Sequence, residues 1–128
     1  MNQEEIIKLA QYYFSHGHNC AEAVLLALKE DLAMSEEELN ILGSGFGAGM
    51  GTREATCGAL IGAGIASNIV SKGQGALMNN KRIVNRFLEL SKAVTCKDLK
   101  TIINGKPLTP CLECVANAIK AYYEVYHG

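Results

Sequence analysis

The sequence predicts an all-α chain: a single-domain helical bundle of about five to six helices over residues 1–128, with a glycine-rich loop ahead of a central apolar helix. Two observations carry that expectation. Apolar residues recur at three- and four-residue spacing in successive segments, each opened or closed by cap, proline or glycine signals. No segment shows convincing strand alternation, and no repeat or low-complexity tract interrupts the pattern. At 128 residues such a chain buries roughly two thirds of its unfolded surface, enough for a core without disulfide staples.

Ile6, Leu9, Ala10, Tyr13 and Phe14 lie at helical spacing with Glu4, Glu5, Lys8 and Gln11 between them, which predicts a first amphipathic helix over about 3–15. Gly17 stops it. Asn19 and Glu22 form a variant capping box that places Cys20 at the first helical position, and Val24, Leu25, Leu28 and Leu32 line one face of a second helix. Ser35 with Glu38 is another capping box, with acidic groups in the first turn where the helix dipole favours them; this third helix ends near Gly43.

Glycine then takes every second position from Gly43 to Gly51, including Gly47, Gly49 and Gly51, which frees the backbone for close approach. Thr52 or Thr56 caps a fourth, central helix running to about Val70. Its Gly58, Gly62 and Ala66 stand one turn apart, where a neighbouring backbone can come near. After a break at Ser71–Gly75, Leu77, Ile83, Val84, Phe87, Leu88 and Leu90 mark a fifth helix over about 75–93. Thr95 caps a brief helical turn at Cys96, and the stretch through Asn104, Gly105 and Pro107 is a loop. Thr109-Pro110 opens a last helix to about Tyr126 with Pro110 at the first helical position. Tyr12, Tyr13, Tyr122, Tyr123 and Tyr126 fall near the two chain ends and suggest packing between the first and last helices.

Twelve Lys and Arg against thirteen Asp and Glu leave a formal net charge of -1, so no bulk field draws nucleic acid or an anionic membrane surface. The apolar run from Ala55 to Val70 falls short of the ~18–20 residues a membrane span needs and is rich in glycine, so it reads as a buried core helix. The opening MNQEEIIKLA carries acidic residues where a signal peptide is basic, which reads as cytoplasmic. Five cysteines in a reducing compartment argue for thiol chemistry or metal binding over permanent bridges.

Cys20 follows Asn19, Cys57 follows Thr56, Cys96 follows Thr95, and Cys111 follows Thr109-Pro110, so four thiols sit at inferred helix starts. Unpaired N–H groups and the positive end of the dipole stabilise a thiolate there, and a thiolate is both nucleophile and metal ligand. Any one such cysteine is equally well explained as a small buried hydrophobe. Fourfold repetition of the placement favours chemistry. For Cys57 the placement depends on the cap, because a helix beginning at Thr52 would put it a turn inside, where Arg53 offsets the lost dipole effect only if it folds back.

Cys111-Leu112-Glu113-Cys114 has the C-x-x-C spacing of thiol–disulfide exchange sites and half-zinc sites. A thioredoxin-like reading lacks its βαβ context, and covalent haem would need His where Val115 stands. Zinc or an iron-sulfur cluster, held by Cys20, Cys57, Cys96 and Cys111, stays open as an alternative. His16 and His18 flank the turn before Cys20 and offer a base or ligand, though an exposed loop histidine is the commoner outcome; His127 suits a helix C-terminus. The glycine run matches neither a dinucleotide fingerprint nor a P-loop. It remains an anion nest with Arg53 nearby, or a loop built for close packing.

Asn19-Cys20-Ala21-Glu22-Ala23-Val24-Leu25, then Cys57-Gly58-Ala59-Leu60-Ile61-Gly62, Cys96-Lys97-Asp98-Leu99 and Cys111 together resemble the C_GCAxxG_C_C family of small redox-active cysteine proteins. The likeness spans nearly the whole chain. It implies a thiol function for Cys20, Cys57, Cys96 and Cys111 without naming a substrate, and a glycine motif at Cys57-Gly58-Ala59 with Gly62. Cys114 is extra to the family pattern, which leaves a local Cys111–Cys114 disulfide or a buried bystander. The family is also similar to a haem-protein fold, but without C-x-x-C-H no haem is carried over.

The leading expectation is a dithiol redox protein acting on an unknown redox partner or small molecule, in the manner of a thiol–disulfide oxidoreductase. Cys57 or Cys20 would attack, and Cys111, Cys96 or the other member of the pair would resolve. A metal or cluster module built from the same cysteines is second. A non-enzymatic homodimer, packed through the small-residue helix, is third. All three turn on whether the cysteines meet in space, which helix periodicity does not fix.

Overall fold

The computed structural model describes residues 1–127, and its helices begin where local capping chemistry puts them. Helices α1 (Gln3–Ser15), α2 (Cys20–Ala27) and α4 (Glu36–Gly43) each open on a complete capping box, Asn2 with Glu5, Asn19 with Glu22 and Ser35 with Glu38. In each box the cap side chain accepts from the third backbone N–H while the glutamate accepts from the cap's own N–H, so two orphan donors are satisfied at once. Between them α3 (Lys29–Leu32) is a single turn, closed by Ala33 in the left-handed region. The remaining helices are α5 (Gly58–Ser71), α6 (Ala76–Ser91), α7 (Cys96–Leu99) and α8 (Cys111–Tyr126). The class is all-α.

The stretch expected as a loop before α8 holds a small hairpin, β1 (Ile102–Ile103) with β2 (Lys106–Pro107), Ile102 opposite Pro107 and Ile103 opposite Lys106. Asn104 and Gly105 at its tip both have positive φ, as a tight two-residue hairpin turn requires. Strands of two residues are too short to show alternation, which is why periodicity missed them.

The most enclosed element is α2, with every residue except Glu22 buried, whereas α5 buries only one side. The centre is therefore α2 and not the longer apolar α5 that the sequence favoured. Helix α2 is walled in by α1, α4, α5 and α8. Small residues let α5 press onto it: a Cβ on Gly62 would stand 3.0 Å from the Ala21 carbonyl oxygen and 3.2 Å from Val24 Cβ. The Gly58–Gly62–Ala66 side is thus used inside the chain and is not free for a second copy.

On α6 only Ile83, Phe87 and Ser91 are buried; Leu77 is 90% exposed and Leu88 44%, so the apolar stripe is narrower than its composition implied. Two buried polar bonds tie its end to the start of α8. Thr109 Oγ1 donates to the Ser91 carbonyl at 2.5 Å, and Asn117 Nδ2 donates to Ser91 Oγ at 2.9 Å. Helices α1 and α8 do pack, with Gln11 Nε2 donating to the Leu112 carbonyl at 3.1 Å. The tyrosine hydroxyls reach other elements: Tyr122 donates to Asp31 Oδ2 at 2.9 Å, and Tyr126 meets Ser67 Oγ at 2.7 Å. His127 caps α8 and lies 2.6 Å from the same Asp31 oxygen. Among the described residues no helix is long and apolar enough to cross a membrane.

Candidate functional site: a cavity lined by thiols

Each cysteine is placed by a local helix start plus a long-range backbone stitch. Cys20 is the first residue of α2, and the amide of its cap Asn19 also donates to the carbonyls of Gly43 and Ser44, at 3.2 and 3.3 Å, which hangs the glycine loop over that helix start. Cys57 is itself the cap residue of α5, with no capping threonine before it. Thr56 instead makes a lone antiparallel bridge with Thr95. Around that bridge Cys57 N–H donates to the Val94 carbonyl at 2.8 Å, and Cys96 N–H donates to the Ala55 carbonyl at 3.0 Å. Donors that would otherwise be orphans at two helix starts thereby clamp those starts together.

The stitch continues toward α8. Thr109 N–H donates to the Leu99 carbonyl at 3.0 Å, and Leu108 N–H to the Thr101 carbonyl at 2.8 Å. Cys111 then opens α8. Pro110 is its cap, with an extended ψ of 154°, one residue earlier in the helix frame than the sequence suggested.

The result is convergence. Cys20, Cys57, Cys96, Cys111 and Cys114 all line one cavity of about 260 Å³, together with Lys100 and Arg53. All five are free thiols. Cys20, Cys57 and Cys114 are all buried, and the Cys20–Cys57 and Cys57–Cys114 neighbours are near enough for each sulfur to act on the ionisation of the next. Cys114 Sγ also donates to the Thr109 carbonyl at 3.6 Å. Four of the five are buried and Cys111 alone is half-buried. Lys100 Nζ donates to Cys111 Sγ.

Helix starts were expected to lower the thiol pKa values, and Cys20, Cys57 and Cys96 show the reverse. The hydrogen bond with Cys57 and burial drive Cys20 far up. Cys57 is pushed up to about 11, chiefly by its bond with Cys114, against the opposing pull of Cys20 and with burial adding to the rise. Burial raises Cys96 while Lys100 pulls it back. Desolvation and thiol-to-thiol bonding outweigh the helix dipole because they act on the charged sulfur at contact distance. For Lys100 burial pulls the ammonium down, yet the hydrogen bond from it to Cys111 and the neighbouring sulfurs leave it raised.

The glycines serve close packing around this cavity. A Cβ on Gly47 would stand 2.5 Å from Asn19 Cβ, one on Gly49 2.8 Å from Cys96 Cβ, and one on Gly58 2.5 Å from Cys20 Sγ. Gly58 therefore clears room for Cys20. Gly51 meets nothing but has φ +81°, so it is needed for the chain path. Arg53 lines the cavity from a left-handed φ of +66°. His18 points elsewhere, its Nδ1 3.8 Å from Glu22 Oε1 and its ring edge-on to Tyr13.

Lys100 escaped the sequence reading. Its only signal is position, one helical turn after Cys96. As for a metal centre, the sulfurs ring a cavity, and among the described residues no three His, Cys, Asp or Glu side chains are grouped to hold one ion. The donors as arranged do not fit a zinc site.

A family model described as "putative redox-active protein (C_GCAxxG_C_C)" matches residues 18–125. No curated protein and no solved structure matches the chain.

Proposed function

The chain belongs to the C_GCAxxG_C_C family of redox-active proteins, and from that premise we propose that it is a cytoplasmic thiol redox protein whose exchanging pair is Cys111 and Cys114. The observation that supports this reading is the pairing of one half-buried thiol, touched by an ammonium, with a buried thiol one helical turn further on. A cation beside a sulfur favours the charged form that attacks disulfides. The assignment moves the attacking role from Cys57 or Cys20 to Cys111, because the inner thiols are enclosed and held protonated by burial and by each other.

In the step, the Cys111 thiolate attacks one sulfur of a substrate disulfide. A Cys111–substrate bond forms as the substrate S–S bond breaks, and the departing thiolate takes the proton of Cys114. Cys114 then attacks the Cys111 sulfur, forming the internal disulfide and expelling the second substrate thiolate. Two cysteines are oxidised and one disulfide becomes two thiols. Cys20, Cys57 and Cys96 form the rest of the thiol wall of the cavity, where they keep the surroundings of the pair dry.

The test is thiol counting in denaturant before and after graded oxidation, with the linked peptides identified by mass spectrometry. A reversible Cys111–Cys114 link is expected, and Cys114→Ser should trap a mixed disulfide on Cys111. Five thiols that stay unreactive across the whole oxidation series would sink the reading.

A further inference from the structure

The cavity holds two cationic side chains and no carboxylate. Lys100 lies against Cys111 inside it and Arg53 stands at its exposed edge. Among the described residues neither cation makes an ion pair, and the carboxylate next to Arg53 in sequence, Glu54, is turned to Lys97 at 3.8 Å. Apart from Asn19 and the thiols, the rest of the lining is apolar, including Phe14, Ala48 and Gly58. Such a site has unspent positive charge in a partly desolvated setting, where each charge counts for more than in water.

Exchange chemistry sharpens that imbalance. When the Cys111 sulfur bonds to a substrate sulfur, the negative charge of the attack leaves with the departing thiolate, and the half-buried ammonium of Lys100 faces a neutral sulfur. A substrate arm that carries its own negative charge restores the balance, and Arg53 at the exposed edge offers it a second cation. The size of the cavity, about 260 Å³, lies below the ~300–1,000 Å³ of drug-sized pockets and suits one short arm at a time.

Resting on the dithiol reading of the same cavity, we propose that its substrates are small anionic disulfides, in which short arms end in carboxylates, in preference to neutral or cationic disulfides of similar length. The reaction is the one written above: the Cys111–substrate bond replaces the substrate S–S bond, Cys114 closes the internal disulfide, and two small thiols carrying carboxylates leave.

The experiment uses the full-length, fully reduced chain and three probes of similar length: dithiodipropionate with two negative ends, hydroxyethyl disulfide with none, and cystamine with two positive ends. Exchange rates are each divided by the rate of the same probe with free cysteine, which removes intrinsic reactivity. The corrected rate should favour dithiodipropionate over cystamine by about ten-fold or more at low salt and should fall toward parity as salt screens the cations. Arg53→Gln should shrink the ratio of dithiodipropionate to hydroxyethyl disulfide rates, and Arg53→Lys should keep it. Equal corrected rates for all three probes would overturn the anion preference and leave the dithiol reading intact. No exchange with any probe would overturn both.

Discussion

Lys100 Nζ donates a hydrogen bond to Cys111 Sγ, so the cation that ends α7 rests on the thiol that opens α8. Nothing in the distance along the chain announces this pair. It exists because Thr109 N–H bonds to the Leu99 carbonyl and folds the hairpin segment back on itself.

If that ammonium promotes attack, Lys100→Met should slow alkylation of Cys111 by iodoacetamide at neutral pH by about ten-fold, the effect of one lost charge near a sulfur. Lys100→Arg should restore much of the rate. Peptide-resolved mass spectrometry reads both, and an unchanged circular-dichroism spectrum separates the loss from unfolding. Equal rates in wild type and Lys100→Met would show that the contact is only packing.

The inner thiols make a pH prediction. Cys57 has its pKa raised in the folded state, to about 11 from an ordinary 9.0. A thiol raised on folding stabilises the fold fully below its unfolded pKa, and that stabilisation is lost as pH climbs through the folded one. Stability should therefore decline between about pH 9 and pH 11, by on the order of 2–3 kcal/mol from this residue. Cys20 and Cys96 shift in the same direction and add to the fall. Urea midpoints across that range measure it, and Cys57→Ala should flatten the slope.

Gly58→Ala is expected to destabilise the chain by about 1–3 kcal/mol, because the new methyl must displace Cys20 Sγ, 2.5 Å away, and the Phe46 carbonyl oxygen. Gly51→Ala meets no atom and should cost about 1 kcal/mol through its left-handed φ alone. Chemical denaturation of both variants should rank them in that order. The reverse ranking would mean that backbone strain, not the sulfur, limits the loop.

Asn19→Ala removes a capping acceptor and both amide bonds to the glycine loop. A loss of about 1–2 kcal/mol is expected from the cap alone. The more specific sign is faster hydrogen exchange at the amides of residues 44–51, which the Asn19 side chain holds over α2. Exchange unchanged there would show that the glycine loop keeps its place without Asn19.

Capping could be read directly because it is local. Asn19 with Glu22 and Ser35 with Glu38 lie three residues apart, and their side chains reach no further than the helix they begin. The all-α class, the boundaries of α1, α4 and α8 and the start of α2 to within a residue or so, and the placing of four cysteines at helix starts all follow from such short-range rules, whereas the second helix, expected to run on through Leu32, breaks at Leu28 into α2 and α3. The rest was not local. That α2 and not α5 is the centre depends on which faces other helices cover, and a run of small and apolar residues looks the same in either. The meeting of five thiols depends on bonds such as Cys57 N–H to the Val94 carbonyl, formed between segments some forty residues apart. Burial then reverses the ionisation that the helix starts alone would favour, because the free energy of a charged sulfur is set by the water and partners around it, and those are known only once the chain has closed.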